Sequence, residues 1–196
     1  YLPPSREHLL GTNDVGQDIF SEMVYGTRVS LYIGIFAAFI VTGVGTVLAL
    51  VSGYFGGVTD KIITAITNVA MAVPSLPLTV LLVAYLNPGK WSLIIAISVT
   101  AWTGTARILR SRVMQLKELP FIKIEKTMGV HPVVILFKHI LPNIKDIILT
   151  RGAMSISGAM MTEAGLSFLG LGEFGEKSWG SVLHYAFFRN SIMKKQ

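Results

Sequence analysis

The 31 residues Val29–Thr59 read VSLYIGIFAAFIVTGVGTVLALVSGYFGGVT and contain no charged side chain. Because a helix needs about 20 apolar residues to cross the hydrocarbon core of a bilayer, this stretch is long enough to span a membrane. A second uncharged stretch of 28 residues lies between Lys61 and Lys90, and a third of 16 residues lies between Lys90 and Arg107. The third stretch is long enough to span the membrane if Lys90 and Arg107 extend their charged ends to the two membrane–water interfaces. We therefore predict three transmembrane helices within residues 29–106.

A weaker apolar stretch, from about Ile147 to Gly170, is interrupted by Arg151 and Glu163. We expect it to form a fourth span, within residues 146–170. It contains the small-residue run 153–159 (AMSISGA), and small residues let helix backbones approach closely in lipid. The predicted fold class is therefore all-α, a polytopic transmembrane helix bundle with about four spans.

The composition excludes several classes of protein. Hydrophobic residues make up 52% of the 196 residues and charged residues only 14%, against about 25% charged in soluble domains. This argues against a disordered chain, a coiled coil and an ordinary soluble enzyme. There is no cysteine, and hence no disulfide, thiolate metal site or cysteine nucleophile. Tyr1 is not an initiator methionine, so we expect a piece of a longer protein.

Helix-breaking and charged residues inside the predicted spans carry further expectations. Pro74 and Pro77 should kink the second span. Arg151 lies twelve residues before Glu163, about 18 Å along a helix, so the two cannot pair within it, and we expect Arg151 to extend to the cytoplasmic headgroups. An acid inside a membrane costs roughly 2.5–3.5 kcal/mol. Glu163 therefore either faces the pathway or another subunit, or lies near the outer interface, and both interpretations stay open.

Basic residues concentrate in residues 107–145, here called the polar loop, which holds eight of the 17 lysines and arginines. An excess of Lys and Arg near span ends marks the cytoplasmic side, so we place the polar loop in the cytoplasm. Alternation then puts residues 1–28, 87–90 and 171–196 outside and residues 55–61 inside. The net charge of +6 is thus a topology signal.

Nucleic-acid binding and metal binding are both disfavoured. The polar loop offers only Phe121 and Phe137 as aromatic platforms, so we expect no nucleic-acid partner. His131 and His139 are eight residues apart, outside the three-to-five spacing of two metal ligands on one helix. We expect His139 to order the loop by hydrogen bonding, and we predict no metal, no cofactor and no catalytic residue.

The polar loop has the pattern of two short helices around a glycine. Residues 116–128 can be helical with a break near Pro120, and Gly129 suits a tight turn with positive φ. Pro132 suits the first turn of a second amphipathic helix, which Pro142 should end or kink. From the residues alone, this is either an ordinary interfacial helix pair or a docking element for a cytoplasmic partner.

The polar loop resembles the coupling loop of ABC-importer permeases. The family pattern is Glu-Ala-Ala, three residues, Gly, nine residues and His-Ile-Leu-Pro-Asn. Gly129 and His139–Asn143 match it at the family spacing, whereas the Glu-Ala-Ala positions hold Lys123, Ile124 and Glu125. The acidic residue is thus displaced by two positions, to Glu125.

Further blocks are similar to the "C"-type permeases of dipeptide, oligopeptide and nickel importers. In the segment that starts at Leu10, Asn13 and Gln17 replace the usual Asp and Arg, and farther along Ala65 and Asn68 replace an expected Arg and Asp. Each time an opposite-charge pair is lost together, as removal of a salt bridge would produce. The remaining matches are Gly53–Gly57 with Asp60, Pro74–Leu76, Glu163–Gly172 and Trp179–Gly180.

The resemblance implies a type I ABC-importer permease fold, with this chain holding spans two to five of six and ending after Met193–Gln196, where the sixth would begin. It implies a non-catalytic, multi-pass subunit of the prokaryotic inner membrane that forms half of a pathway for peptides or nickel complexes. The implied partners are two cytoplasmic ATP-binding subunits, a second related permease subunit, an extracytoplasmic solute-binding protein and the lipid bilayer. The chain has no P-loop motif of its own.

The resemblance also implies which residues meet the ATP-binding subunits. These are Glu125, Met128, Gly129, Val130, His139, Pro142 and Asn143. Glu163 is the candidate for the pathway or an intersubunit contact. The alternative function is an ion-coupled secondary transporter or channel. That class should carry several ionisable residues in its spans, and only Glu163 clearly and Arg151 marginally do so.

Overall fold

The structure is a computed structural model that is helical throughout its regular regions. It describes residues 2–13, 15–87, 89–173 and 175–188. Within these ranges the only strand-like feature is an isolated bridge between Thr12 and Asp18, so the all-α class is confirmed. The expectations for Tyr1 and for Met193–Gln196 lie outside the described residues.

Eight α-helices and one π-helical turn make up the described part of the chain. Their bounds are α1 Ile19–Phe55, α2 Gly57–Ala72, α3 Ser75–Leu86, α4 Lys90–Lys117, α5 Pro120–Thr127, α6 Pro132–Ile135, the π turn Leu136–Ile140, α7 Leu141–Phe168 and α8 Trp179–Phe188. The three uncharged stretches of the sequence therefore fall in α1, in α2 with α3, and in α4.

Length and composition allow α1 and α4 each to cross a membrane. Helices α2 and α3 pass the same test together but are bent by 86°, so they add a third span only if the bent pair counts as one. The expected kink is confirmed, because Pro74 lies in the break and Pro77 in the first turn of α3. A proline cannot donate the hydrogen bond that would carry one helix into the next.

Helix α7 covers the fourth expected stretch as one helix of 28 residues. It is not among the helices that are apolar enough to cross a membrane by the same test. Arg151 and Glu163, together with its many small residues, lower the hydropathy of α7 relative to α1.

The chain divides into two compact units. The first unit contains the described residues of Tyr1–Ala37, Thr79–Ile97 and Ile156–Gln196, and the second contains Ala38–Leu78 and Ser98–Ser155. The division falls within α1, α3, α4 and α7, so each unit holds segments of these helices.

A cluster of buried apolar residues forms the core of the second unit and includes the polar loop. Its members are Ala49, Leu50, Tyr54, Leu109, Val113, Leu116, Ile122, Ile135, Leu136, Ile140 and Ile144. One face of α5 contributes Ile122, and the α6–π segment contributes Ile135, Leu136 and Ile140. The short helices of the loop are therefore packed against α1 and α4 by an apolar face, which fixes the direction of their opposite face.

An ion pair fixes the start of α2 to α4 within the second unit. Arg110 donates from Nε and Nη2 to the two carboxylate oxygens of Asp60, at 2.5 and 2.6 Å. One turn of α4 earlier, Arg107 donates to Oδ1 of Asn68 at 2.8 Å. A two-pronged guanidinium–carboxylate contact fixes orientation as well as distance, so it holds the two helices in register.

In the first unit, α8 packs closely on α7 through Gly180. A Cβ on Gly180 would lie 2.3 Å from the backbone oxygen of Ala164, closer than any side chain can approach. Nearby, the indole nitrogen of Trp179 donates to Thr27 Oγ1 at 3.0 Å and to the Met23 oxygen at 3.2 Å, both on α1. The pattern Trp179–Gly180 thus joins α8 to α7 through the glycine and to α1 through the indole.

Of the two expected effects of Pro142, ending the second loop helix is wrong, and kinking it stays a prediction. The helix that begins at Pro132 continues through the π turn into α7, with Pro142 as the second residue of α7. The backbone N–H of Leu141 bonds to the oxygen of Leu136, five residues earlier, rather than four. This wider turn accommodates a residue that has no N–H to donate.

Candidate functional site

Gly129 provides the turn between the two short helices of the polar loop. Its φ is +78°, and the flanking bonds from Gly129 N to the Lys126 oxygen and from Val130 N to the Glu125 oxygen form a Schellman cap on α5. A Cβ at Gly129 would meet no atom within 4 Å. The glycine is thus required by the backbone conformation and not by crowding.

Glu125 and His139 contact each other across the turn. Their Oε1 and Nε2 atoms are 2.8 Å apart, and both side chains are largely buried, at 27% and 22% exposure. Asn143 donates from Nδ2 to the backbone oxygen of His139 at 2.6 Å. The His139 side chain contacts Glu125, and its backbone oxygen accepts the bond from Asn143; that the side chain orders the loop by hydrogen bonding stays a prediction. The displaced acid Glu125 is its partner within the same chain.

The predicted coupling residues therefore divide into two groups. Glu125 and His139 face each other, whereas Met128 is 77% exposed at the tip of the loop. Gly129, Pro142 and Asn143 are also exposed, and Val130 is half-buried against the core. The outer face adds further exposed apolar side chains: Phe121, Ile124, Val133 and Phe137. The loop thus exposes several apolar side chains besides Met128.

Lys123, which stands at the family's glutamate position, is held by a neighbour that sequence reasoning missed. Its Nζ lies 2.9 Å from Glu118 Oε2, and both side chains are exposed. The hydrogen bond from Lys123 lowers the pKa of the Glu118 carboxyl. A Glu five residues before a Lys, across a proline break, was the only sequence signal for this pair.

Glu163 is fully buried inside the first unit, at 0% exposure. Ser30 donates to Oε2 at 2.8 Å, and Ser167 donates to Oε1 at 2.6 Å. The Ser30 hydroxyl in turn accepts from the backbone N–H of Trp179 at 3.4 Å. The carboxylate thus joins α1, α7 and the start of α8, and both its oxygens are bonded within this chain. The contacts of Ser30 and Trp179 were not predicted, because they connect distant parts of the sequence. Ser167 is four residues from Glu163 on one helix, and that spacing was the signal that could have found it.

Arg151 lies beside α4 in the second unit. Its Nη2 is 3.4 Å from where a Cβ on Gly104 would be, and its Nε is buried without a hydrogen-bond partner in the described part of the chain. The extension of this side chain to headgroups stays a prediction. Among residues 2–13, 15–87, 89–173 and 175–188, no group of three His, Asp or Glu side chains could hold a metal ion.

Comparison with known proteins identifies the family whose sequences this chain matches. The family described as "binding-protein-dependent transport system inner membrane component" matches residues 45–189. The oligopeptide transport system permease protein OppC of Bacillus subtilis is 40% identical over 92% of this chain and 59% of its own length. The dipeptide permease protein DppC of the same organism is 38% identical over 91% and 56%. The glutathione permease protein GsiD of Pectobacterium atrosepticum is 38% identical over 93% and 61%.

The chain therefore spans about three-fifths of the length of these relatives. Among solved structures, an inward-facing form of the methionine ABC transporter MetNI superposes with a TM-score of 0.67 at 18% identity, over 89% of this chain and 90% of that one. This likeness confirms the permease fold. The chain belongs to the family of binding-protein-dependent transport system inner membrane components.

Proposed function

We propose that the chain is a permease subunit of an ATP-driven importer of short peptides. It forms part of the membrane pathway, carries out no chemistry itself, and receives motion through the polar loop. Its partners are two cytoplasmic ATP-binding subunits, a second related permease subunit and an extracytoplasmic solute-binding protein. The observation that carries the proposal is the exposed Met128 tip beside the Gly129 cap, in the loop whose sequence matches the family.

The packing of the polar loop supports a mechanical role. Its inner face is buried in the core of the second unit, and the Glu125–His139 contact closes the turn from inside. A force on Met128 therefore acts on a stiff element joined to α1 and α4 and not on a flexible connection. Rocking of packed helices as rigid bodies is how transporters of this type change access.

The division into units supports the proposed topology. The described residues within 1–28, 87–90 and 171–196, which the charge pattern puts outside, all fall in the first unit. Residues 55–61 and the polar loop, which it puts in the cytoplasm, fall in the second. We accordingly assign the polar loop to the cytoplasm, where ATP-binding subunits are found.

The names of the relatives favour peptides as the transported cargo. The three relatives above are named for oligopeptides, dipeptides and glutathione, which are all short peptides, and we rank nickel complexes below them. The ion-coupled alternative gains no support, because Glu163 is buried and fully bonded within the chain.

The test strains the cap of the loop and keeps every other side chain of its exposed surface. In the complete subunit, Gly129→Val forces a branched side chain into a left-handed conformation, which costs about 1–2 kcal/mol. The subunit should still insert in the membrane, but we expect loss of co-purification with the ATP-binding subunit or a fall of roughly 5–30-fold in peptide-stimulated ATPase activity. Gly129→Asn should keep most of the activity, since Asn tolerates this conformation.

Gly16→Val is the matched control. Gly16 has a φ of +81° and also meets no atom within 4 Å, but it lies in the first unit. Equal backbone strain there should leave ATPase coupling intact. Normal transport by the Gly129→Val complex would show that the loop has no docking role.

A further inference from the structure

A cleft of about 660 Å³ opens beside the start of α1, within the first unit. One wall is a stripe of α1 side chains at helical spacing, formed by Tyr25, Arg28, Val29 and Tyr32. Lys90 and residues 175–177 line the opposite side. The volume lies in the range of about 300–1,000 Å³ that small-molecule sites occupy.

Most charges in the cleft neutralise one another. Lys177 contacts Glu22, and Lys90 Nζ lies 2.5 Å from Glu176 Oε2. Asp18 accepts hydrogen bonds from the backbone and the hydroxyl of Ser21, at 2.8 and 2.7 Å. Each acid on the cleft wall is therefore bonded to a group of the protein.

Arg28 differs from the other cations of the cleft. Its side chain is exposed, and it has no hydrogen bond or ion pair to any residue that the structure describes. A free guanidinium between two tyrosines, in a cleft whose acids are already paired, attracts an anion. Its planar fork matches the two oxygens of a carboxylate, and the tyrosine rings offer apolar contact area beside it.

We propose that this cleft binds the C-terminal carboxylate of a short peptide, with Arg28 as the residue that recognises it. The inference rests on the proposed function, because it assigns a recognition site to the cargo of that importer. The peptide's carboxylate pairs with Arg28, and its last residues lie along Tyr25 and Tyr32. In the proposed topology the cleft is on the outer side, so a peptide released from the binding protein meets it on the way to the pathway.

The experiment measures binding to the assembled permease–ATPase complex without the solute-binding protein, so that the preferences of that protein do not enter. A trialanine that carries a benzophenone group at its N-terminus is photo-crosslinked to the complex. Trialanine and trialanine amide, which differ only in the terminal charge, then compete with it. We expect the acid to compete about tenfold better than the amide, as removal of one charge-assisted pair in a solvated cleft predicts.

Three variants of the complete subunit identify the residue. With Arg28→Gln the advantage of the acid over the amide should disappear, and with Arg28→Lys it should be reduced to a few-fold. Arg6→Gln is the matched control, since Arg6 is an exposed arginine of the same unit that does not line the cleft. It should leave the tenfold ratio unchanged. If the Arg28→Gln complex does not assemble, the Arg28→Lys ratio decides.

Several outcomes would overturn the site. An unchanged acid-to-amide ratio in the Arg28 variants, or an equal loss for both peptides, contradicts recognition of the carboxylate. The effect of Arg28→Gln on probe crosslinking could instead depend on the fraction of anionic lipid around the complex and not on whether the peptide ends in an acid or an amide. That result would assign Arg28 to a lipid phosphate. Uptake assays with the binding protein separate the two proposals. If the parent complex imports trialanine but the acid-to-amide ratio is the same in the Arg28 variants, only the cleft proposal is wrong. If the parent complex imports no peptide, the proposed function itself is wrong.

Discussion

Ser30 donates a hydrogen bond to the buried carboxylate of Glu163 across 2.8 Å, although 133 residues separate them in the chain. Ser167, one turn along α7, donates to the other oxygen. Removing one donor leaves a buried carboxyl oxygen without its hydrogen bond, which costs about 1–3 kcal/mol. The network is therefore a stability element of the first unit.

We expect Ser30→Ala to lower the thermal midpoint of the purified subunit in detergent by several degrees, which corresponds to about 1–3 kcal/mol. Glu163→Gln should cost less, because an amide can still accept one of the two bonds. The double variant should be less than additive, since the two residues share the contact. Full additivity would contradict a shared network. A loss of transport by Glu163→Gln at unchanged stability would instead favour a pathway role.

Gly180→Ala should be among the most damaging small substitutions in the first unit. The added methyl would lie 2.3 Å from the Ala164 backbone oxygen and 2.7 Å from the Ala164 Cα, so α8 would have to move off α7. We expect a loss of at least about 2 kcal/mol, measured by thermal unfolding in detergent. Gly43→Ala is the control, because a Cβ there meets nothing within 4 Å. It should be neutral or stabilising by up to about 1 kcal/mol.

Asn13 and Gln17 are hydrogen-bonded to each other, with Asn13 Nδ2 3.1 Å from Gln17 Oε1. This is the contact expected if the two residues replace a salt bridge. Asn13 also donates to Glu22 at 2.8 Å, so Asn13→Asp alone places two carboxylates together. We expect the combination of Asn13→Asp with Gln17→Arg to be tolerated better than Asn13→Asp alone, as judged by the yield of folded subunit. Equal damage by the single and double variants would contradict the hypothesis.

The start of α1 should lose order in acid because of Asp18. Hydrogen bonds from the hydroxyl and the backbone of Ser21 lower the pKa of the Asp18 carboxyl, and the nearby His8 acts in the same direction. Because the pKa is lowered, the bonds from Ser21 to the Asp18 carboxylate stabilise the folded state fully at pH values above the ordinary carboxyl pKa of about 4. This stabilisation is lost as pH falls through the folded-state pKa of Asp18. The protection of residues 19–22 against hydrogen exchange, relative to the intrinsic exchange rate at each pH, should fall in that range. Asp18→Asn should remove the pH dependence, and its persistence in that variant would assign it to another group.

Local signals in the sequence predicted the local structure well. Pro120, Gly129 and Pro132 each lie where the helix–turn–helix pattern required them, because their backbone preferences depend on immediate neighbours alone. Pro74 likewise marked the bend between α2 and α3. Pro142 does not end its helix, because the preceding turn can widen, and the π turn at Leu136–Ile140 does so.

The partners of the candidate residues could not be predicted in the same way. Nothing in the spacing of Glu163 and Ser30 links them, and Glu125 contacts His139 only because α5 and the π turn pack on one core. The sequence indicated which residue types are unusual in a membrane protein. Packing gives them contacts within the chain, of Glu125 with His139 and of Glu163 with Ser30, and the coupling role of Glu125 stays a prediction.

The thioether of Met128 makes the tip of the polar loop a built-in chemical reporter. Sulfur in an exposed methionine is oxidised readily to the sulfoxide, which adds the mass of one oxygen atom, whereas sulfur sealed in an interface reacts slowly. Met128 is 77% exposed, so its sulfur is accessible to oxidant when no partner covers the loop. Mild peroxide and mass spectrometry can therefore follow occupancy of the loop in native membranes without any label or substitution.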